Sequence, residues 1–169
     1  MRNGILGGIA VVLFISATFT NLKPMDLIRD TYKRALKESD SVKKLKSLTK
    51  DKSDAQSIAF YAMALAFEAR ETSWVPTKLS LANDAYEQLN KAVTANPKNF
   101  EIRYLRFSFS CEVPSMLGLN DHLAEDKKFL LENAKTGEYL ADIMKKYFQK
   151  SSCLSESEKR LINTRLQYP

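Results

Sequence analysis

Little in this chain is suited to bond-making chemistry. It has one histidine, His122, among 169 residues, so any general-base or imidazole-metal role would fall on a single side chain. Neither a Gly-rich phosphate loop nor a Gly-x-Ser-x-Gly elbow occurs. His122 stands in Asn120-Asp121-His122-Leu123-Ala124-Glu125-Asp126 and shares a helical face with Glu125. One imidazole with carboxylates lacks the spacing of a metal motif, and acids at a helix start already have a role opposing the macrodipole. The sequence therefore predicts no catalytic residue, no cofactor and no metal. A small metal-binding or enzymatic domain centred on His122 is the outlying alternative.

Glycine and proline are also scarce, at five each. A strand-and-turn fold needs more punctuation than that, whereas abundant Ala, Leu, Lys and Glu favour helices. The predicted fold class is all-α. Two cysteines, Cys111 and Cys153, stand 42 residues apart without a Cys-x-x-Cys. In an exported protein they could form a disulfide; the place of Cys111 on an aromatic stripe favours two thiols used as small apolar residues.

The formal charge is +6, and it is concentrated. From Asn21 to Ser53 there are ten Lys or Arg against five Asp or Glu, and with Arg2 supplying the remaining positive charge the chain beyond Ser53 is neutral. A nucleic-acid binder needs a basic stripe on the folded body together with base- or phosphate-contacting elements. One lysine-rich segment without them reads as a solvated helix face, and no nucleic-acid partner is predicted.

Charge is absent altogether from Asn3 to Leu22, where GILGGIAVVLFISATFTNL follows a short cationic start. Residues 1–20 read as a signal peptide or a membrane anchor. Ile15-Ser16-Ala17 or Thr18-Phe19-Thr20 offers a cleavage site, while about 20 apolar residues also suffice to span a bilayer. The lysines and arginines that follow disfavour translocation. The first reading places the protein in a secreted or periplasmic compartment; the second ties it to a membrane by residues 1–22, as a structural subunit whose basic helix lies on anionic lipid.

Residues 21–52 form a basic helical region. Pro24 suits a first helical position, Leu27, Ile28, Thr31, Ala35 and Leu36 share a face, and the pattern breaks at Ser39-Asp40-Ser41. Residues 53–169 make the main helical domain. Ser53 with Gln56 reads as a capping box, and AFYAMALAFEA is apolar nearly all round, which predicts the most buried helix. Asn99 is placed to cap the next helix, and Ser155 with Glu158 forms a second capping box before a short terminal helix.

Ile58, Tyr61, Ala62 and Leu65, followed by Ala85, Leu89, Ala92 and Pro97, give the spacing of small and large apolar residues across a helix pair that ends on proline. This spacing resembles a tetratricopeptide repeat, over roughly Ser57 to Leu131 in two units, with Tyr104, Phe107, Ser108 and Cys111 opening the second. The resemblance implies antiparallel helix hairpins in a right-handed solenoid or bundle of six or seven helices, and binding of a protein or peptide by the helix faces. Relative to the repeat, Thr72 to Leu81 looks like an inserted loop. Val75-Pro76-Thr77-Lys78-Leu79-Ser80-Leu81 matches Val113-Pro114-Ser115-Met116-Leu117-Gly118-Leu119 at a spacing of 38, so the insertion is expected twice.

Four side chains are candidates for partner binding. Arg103, Arg106 and Ser110 fall on the face that lines the groove in tetratricopeptide proteins, where arginines can receive a carboxylate; the competing expectation pairs the arginines internally with Glu68, Glu71 or Glu101. Trp74 is expected to pack its loop onto the helices, or, if exposed, to act as a contact hot spot. Determining the mature N-terminus separates the two readings of the leading segment. Cleavage gives a chain beginning after Ala17 or Thr20, and a chain beginning at Met1 rules it out.

Overall fold

The computed structural model describes residues 23–166; the expected signal or anchor at residues 1–20 lies outside them. Eight α-helices follow in order: α1 Pro24–Ala35, α2 Ser39–Thr49, α3 Ala55–Glu71, α4 Val75–Ala95, α5 Phe100–Glu112, α6 Leu123–Asn133, α7 Ala141–Lys150 and α8 Glu156–Arg165. One turn of 3-10 helix, Ser115–Leu117, stands between α5 and α6, and there is no strand among the described residues.

Local signals account for most helix ends. Pro24 opens α1, where a missing N–H costs nothing. The break expected near Ser39 divides the basic region into two complete helices, which lifts the number above the six or seven predicted. Asn99 accepts the Ile102 amide at 3.0 Å. Ser155 and Glu158 cap α8 reciprocally. At α3 the cap is Asp54, which accepts the Ser57 amide at 2.9 Å, and not the expected Ser53 with Gln56. A carboxylate is the stronger acceptor for a helix N-terminus, and Ser53 stays exposed.

The first Val-Pro segment corrects the predicted insertion. Only Thr72 to Trp74 separate α3 from α4, and Val75 to Leu81 are the first two turns of α4. Pro76 lies within the first turn, so it starts a helix instead of marking a loop. Its counterpart does not propagate: after Val113, extended ahead of Pro114, the 3-10 turn ends at Gly118 with φ 65°. Gly118 occupies the position of Ser80 in the first copy. A left-handed residue terminates the helical path, and glycine takes that conformation without a Cβ penalty.

One hydrophobic core runs from Ile28 to Leu166, so the basic helical region belongs to the same packed body as the rest. α3 and α4 make the most extensive helix contact; α1 and α2 pack on α3, α5 packs on both α3 and α4, α6 lies on α5, and α8 contacts α6 and α7. Tyr32 on α1 meets the Phe60 ring edge-on at 5.4 Å and stacks on Phe67 at 5.9 Å. Tyr104 on α5 meets Tyr147 and Phe148 of α7 at 5.9 and 5.6 Å. These edge-to-face and stacked pairs add to the area they bury.

The most buried helix is α5, not α3. It buries eleven of its 13 residues, against ten of 17 in α3. Three of those eleven, Glu101, Arg103 and Arg106, are charged. Glu101 takes Arg29 of α1 through both carboxylate oxygens, at 2.8 and 3.1 Å, and Gln56 of α3 at 2.8 Å. The N-terminal turns of α1, α3 and α5 are thereby drawn to one end of the bundle.

Ala85 and Ala92 are fully buried along α4, so helices approach α4 over small side chains. Ala85→Leu adds volume where none is free and should cost about 1–3 kcal/mol in denaturant unfolding, whereas the same change at the exposed Asp84 should cost little.

Candidate interaction site

Arg103 and Arg106 point inward. They are 7% and 3% exposed and converge on Asp126 of α6, which is fully buried. Arg106 holds Asp126 as a fork, Nε to Oδ2 at 2.7 Å and Nη2 to Oδ1 at 2.8 Å, while Arg103 Nη1 reaches Oδ1 at 2.7 Å. Arg103 also donates to Glu125 at 2.6 Å and to the Pro97 carbonyl at 2.9 Å, and Arg106 donates to Asn90 of α4 at 2.9 Å. Ser110 is 2% exposed. The expected cationic patch is therefore absent from the surface, and the internal acids are Glu125 and Asp126, not Glu68, Glu71 or Glu101.

His122 lies at the start of α6 with Nδ1 at 3.3 Å from Glu125 and its ring 6.4 Å from Tyr86. Glu125 is already taken by Arg103, and among the described residues no group of three His, Cys, Asp or Glu is placed to hold a metal. Cys111 and Cys153 are joined by a disulfide, where the sequence favours thiols. The partner was hidden because α7 and the turn that follows it fold back onto the end of α5, a long-range placement that periodicity does not carry.

Trp74 is the candidate that remains on the surface. It is 68% exposed and does not pack against the helices as expected. Val75 and Leu79, one turn apart on α4, are 60% and 38% exposed, and Met116 in the 3-10 turn is 88% exposed. The antiparallel packing of α4 on α5 sets these residues toward the same end of the bundle. Asn90 meets Arg106 and Tyr86 stacks on Phe109 at 6.1 Å, and continuing this register along both helices carries Leu79 toward the turn that bears Met116. Both Val-Pro segments thus contribute to one apolar end of the bundle, opposite the end where Arg29, Gln56 and Glu101 meet. Single exposed apolar residues are ordinary; Trp74, Val75, Leu79 and Met116 are four that fall toward the same end. The repeated heptapeptide was the signal in the sequence; that it lies at one end depends on the helix register.

No family model, no curated protein and no solved structure matches this chain. The class that the structure defines is an all-helical protein of packed antiparallel helices.

Removing Asp126 strands two buried guanidinium groups. Asp126→Ala should cost about 3–5 kcal/mol, read from denaturant unfolding. Acid should act on Glu125 at the rim of the same network. The hydrogen bond from Arg103 holds the Glu125 carboxyl below its ordinary value, so its contribution is complete above the unfolded carboxylate range and is lost as pH falls through the lower folded value. The thermal midpoint should fall as pH drops below about 4, and Glu125→Gln should make that fall shallower.

Proposed function

We propose that this chain is an exported, non-enzymatic helical-repeat protein of tetratricopeptide-like build that holds another protein or peptide against its Trp74 and Met116 end. The observation that carries this reading is the exposure of Trp74 and Met116 on the two Val-Pro segments. Aromatic and Met side chains supply large contact area and are enriched at interfaces.

Two further observations support it. The helices pack in the order a stack of hairpins requires: α1 with α2, α3 with α4 and α5 with α6 are partners, while α1 meets α3 and α3 meets α5. The Cys111–Cys153 disulfide suits an oxidising compartment, in keeping with export directed by the apolar leading segment.

Pull-down from the native compartment tests the surface. The protein recovered with the wild type should be lost with Trp74→Ala plus Met116→Ala, while the thermal midpoint stays unchanged because neither side chain is in the core. Equal recovery by the two proteins overturns the reading. Reduction tests the compartment argument, since closing a loop of 42 residues restricts the unfolded chain by about 4 kcal/mol in the chain-entropy account. Dithiothreitol should lower the wild-type midpoint markedly, and Cys111→Ser with Cys153→Ser should match the reduced protein.

A further inference from the structure

Where α2 ends, α3 begins and the last turns of α4 pass beside them, the surface sinks into a depression of about 510 Å³. Lys50, Lys52 and Lys91 stand around it with Ser53, Tyr61 and Gln88. No carboxylate lines it. Two acids neighbour these lysines in sequence: Asp51, between Lys50 and Lys52, is exposed and lines no part of the depression, and Asp54 caps α3 through the Ser57 amide with Lys52 near enough to act on its charge. Lys43 and Lys46, further back on α2, are held by Asp40 and Glu68, but none of the three lysines around the depression forms an ion pair among the described residues.

The neutral donors are equally unspent. Among the described residues Ser53, Tyr61 and Gln88 donate to no protein acceptor, whereas Thr49 at the edge of the same depression gives its hydroxyl to the Leu45 carbonyl at 2.7 Å. Three lysines and three uncommitted O–H or N–H donors line one hollow, and against the two neighbouring acids, Asp51 and Asp54, they leave a local positive excess that an anion relieves. A carboxylate, with one charge and two oxygens, is met by a single planar fork of the kind arginine provides. Separate ammonium point charges with hydroxyl and amide donors suit a tetrahedral group with three or more accepting oxygens and nearly two charges. The volume exceeds that of a bare phosphate, and Ile58 and the Tyr61 ring add apolar wall.

We propose that this depression is a binding site for a phosphate monoester, held by Lys50, Lys52 and Lys91 with Ser53, Tyr61 and Gln88 as neutral donors. The phosphate belongs either to a soluble ester or to a lipid headgroup. The site is remote from the Trp74 end and stands independently of the partner proposed there.

The probe is inorganic phosphate, titrated into the isotope-labelled full chain with chloride holding ionic strength constant. Saturating shifts are expected at the Ser53 amide and the Gln88 side-chain amide. Lys50→Gln with Lys91→Gln should raise the midpoint by at least about tenfold, or about 1.4 kcal/mol; both side chains are exposed, so the thermal midpoint should hold, and Lys50→Arg with Lys91→Arg should restore most of the affinity. Vesicles of phosphatidic acid in phosphatidylcholine then identify the source. Vesicle binding lost in the Gln variant assigns the phosphate to a headgroup, and vesicle binding unchanged by it assigns the site to a soluble ester. Shifts that chloride alone reproduces, or a phosphate midpoint equal in wild type and Gln variant, overturn the proposal.

Discussion

A single carboxylate with no access to water sets the terms for half of this molecule. Asp126 neutralises two guanidinium groups that α5 carries into the core, and without it those charges would have no place there, since desolvating an unpaired cation costs several kcal/mol. The same arginines reach Asn90 and the Pro97 carbonyl, so the register of α5 against α4, the close of the α4–α5 turn and the seating of α6 are fixed by one network. At the other end of the same helix, Glu101 performs the reciprocal task for Arg29 of α1. Directional bonds of this kind specify one arrangement where apolar packing alone would tolerate several.

Glu101, Arg103 and Arg106 of α5 are spent inside, and the exposed features described above stand toward the two ends. One end is apolar and is made by Trp74, Val75, Leu79 and Met116. Toward the other end, beyond the last turns of α2 and α4, lysines outnumber the acids available to them. The two copies of the Val-Pro heptapeptide illustrate how little sequence is needed to divide a motif. Helical continuation in the first and a left-handed stop in the second differ at Ser80 and Gly118, and both outcomes leave apolar side chains outside the core.

What could be read from the sequence follows from the range of the forces involved. Asn99, Ser155 with Glu158 and Pro24 act within one turn of their own helix, and the residues alone place them. The break at Ser39 is equally local. The burial of α5 was illegible because its arginines and glutamate mimic an exposed face, while their partners lie a full helix away, on α6 and α1. The start of α4 was misread for a related reason: Pro76 is a stop signal by itself and a start signal once the chain has turned at Thr72. The pairing of Cys111 with Cys153 and the placing of Trp74 and Met116 toward the same end depend on how helices stack, which periodicity within a helix does not encode.

The disulfide changes what counts as the end of this chain. Cys111 closes α5, and Cys153 stands in the turn between α7 and α8, so the covalent path from α5 to the last helix is far shorter than the path along the backbone. Tension on α8 passes through sulfur to α5 without loading α6 or α7, and a backbone cut within the bridged loop leaves both fragments attached. Mechanically, the final helix pair is fastened to the middle of the bundle, to the same helix whose buried charges hold α1, α4 and α6 in place.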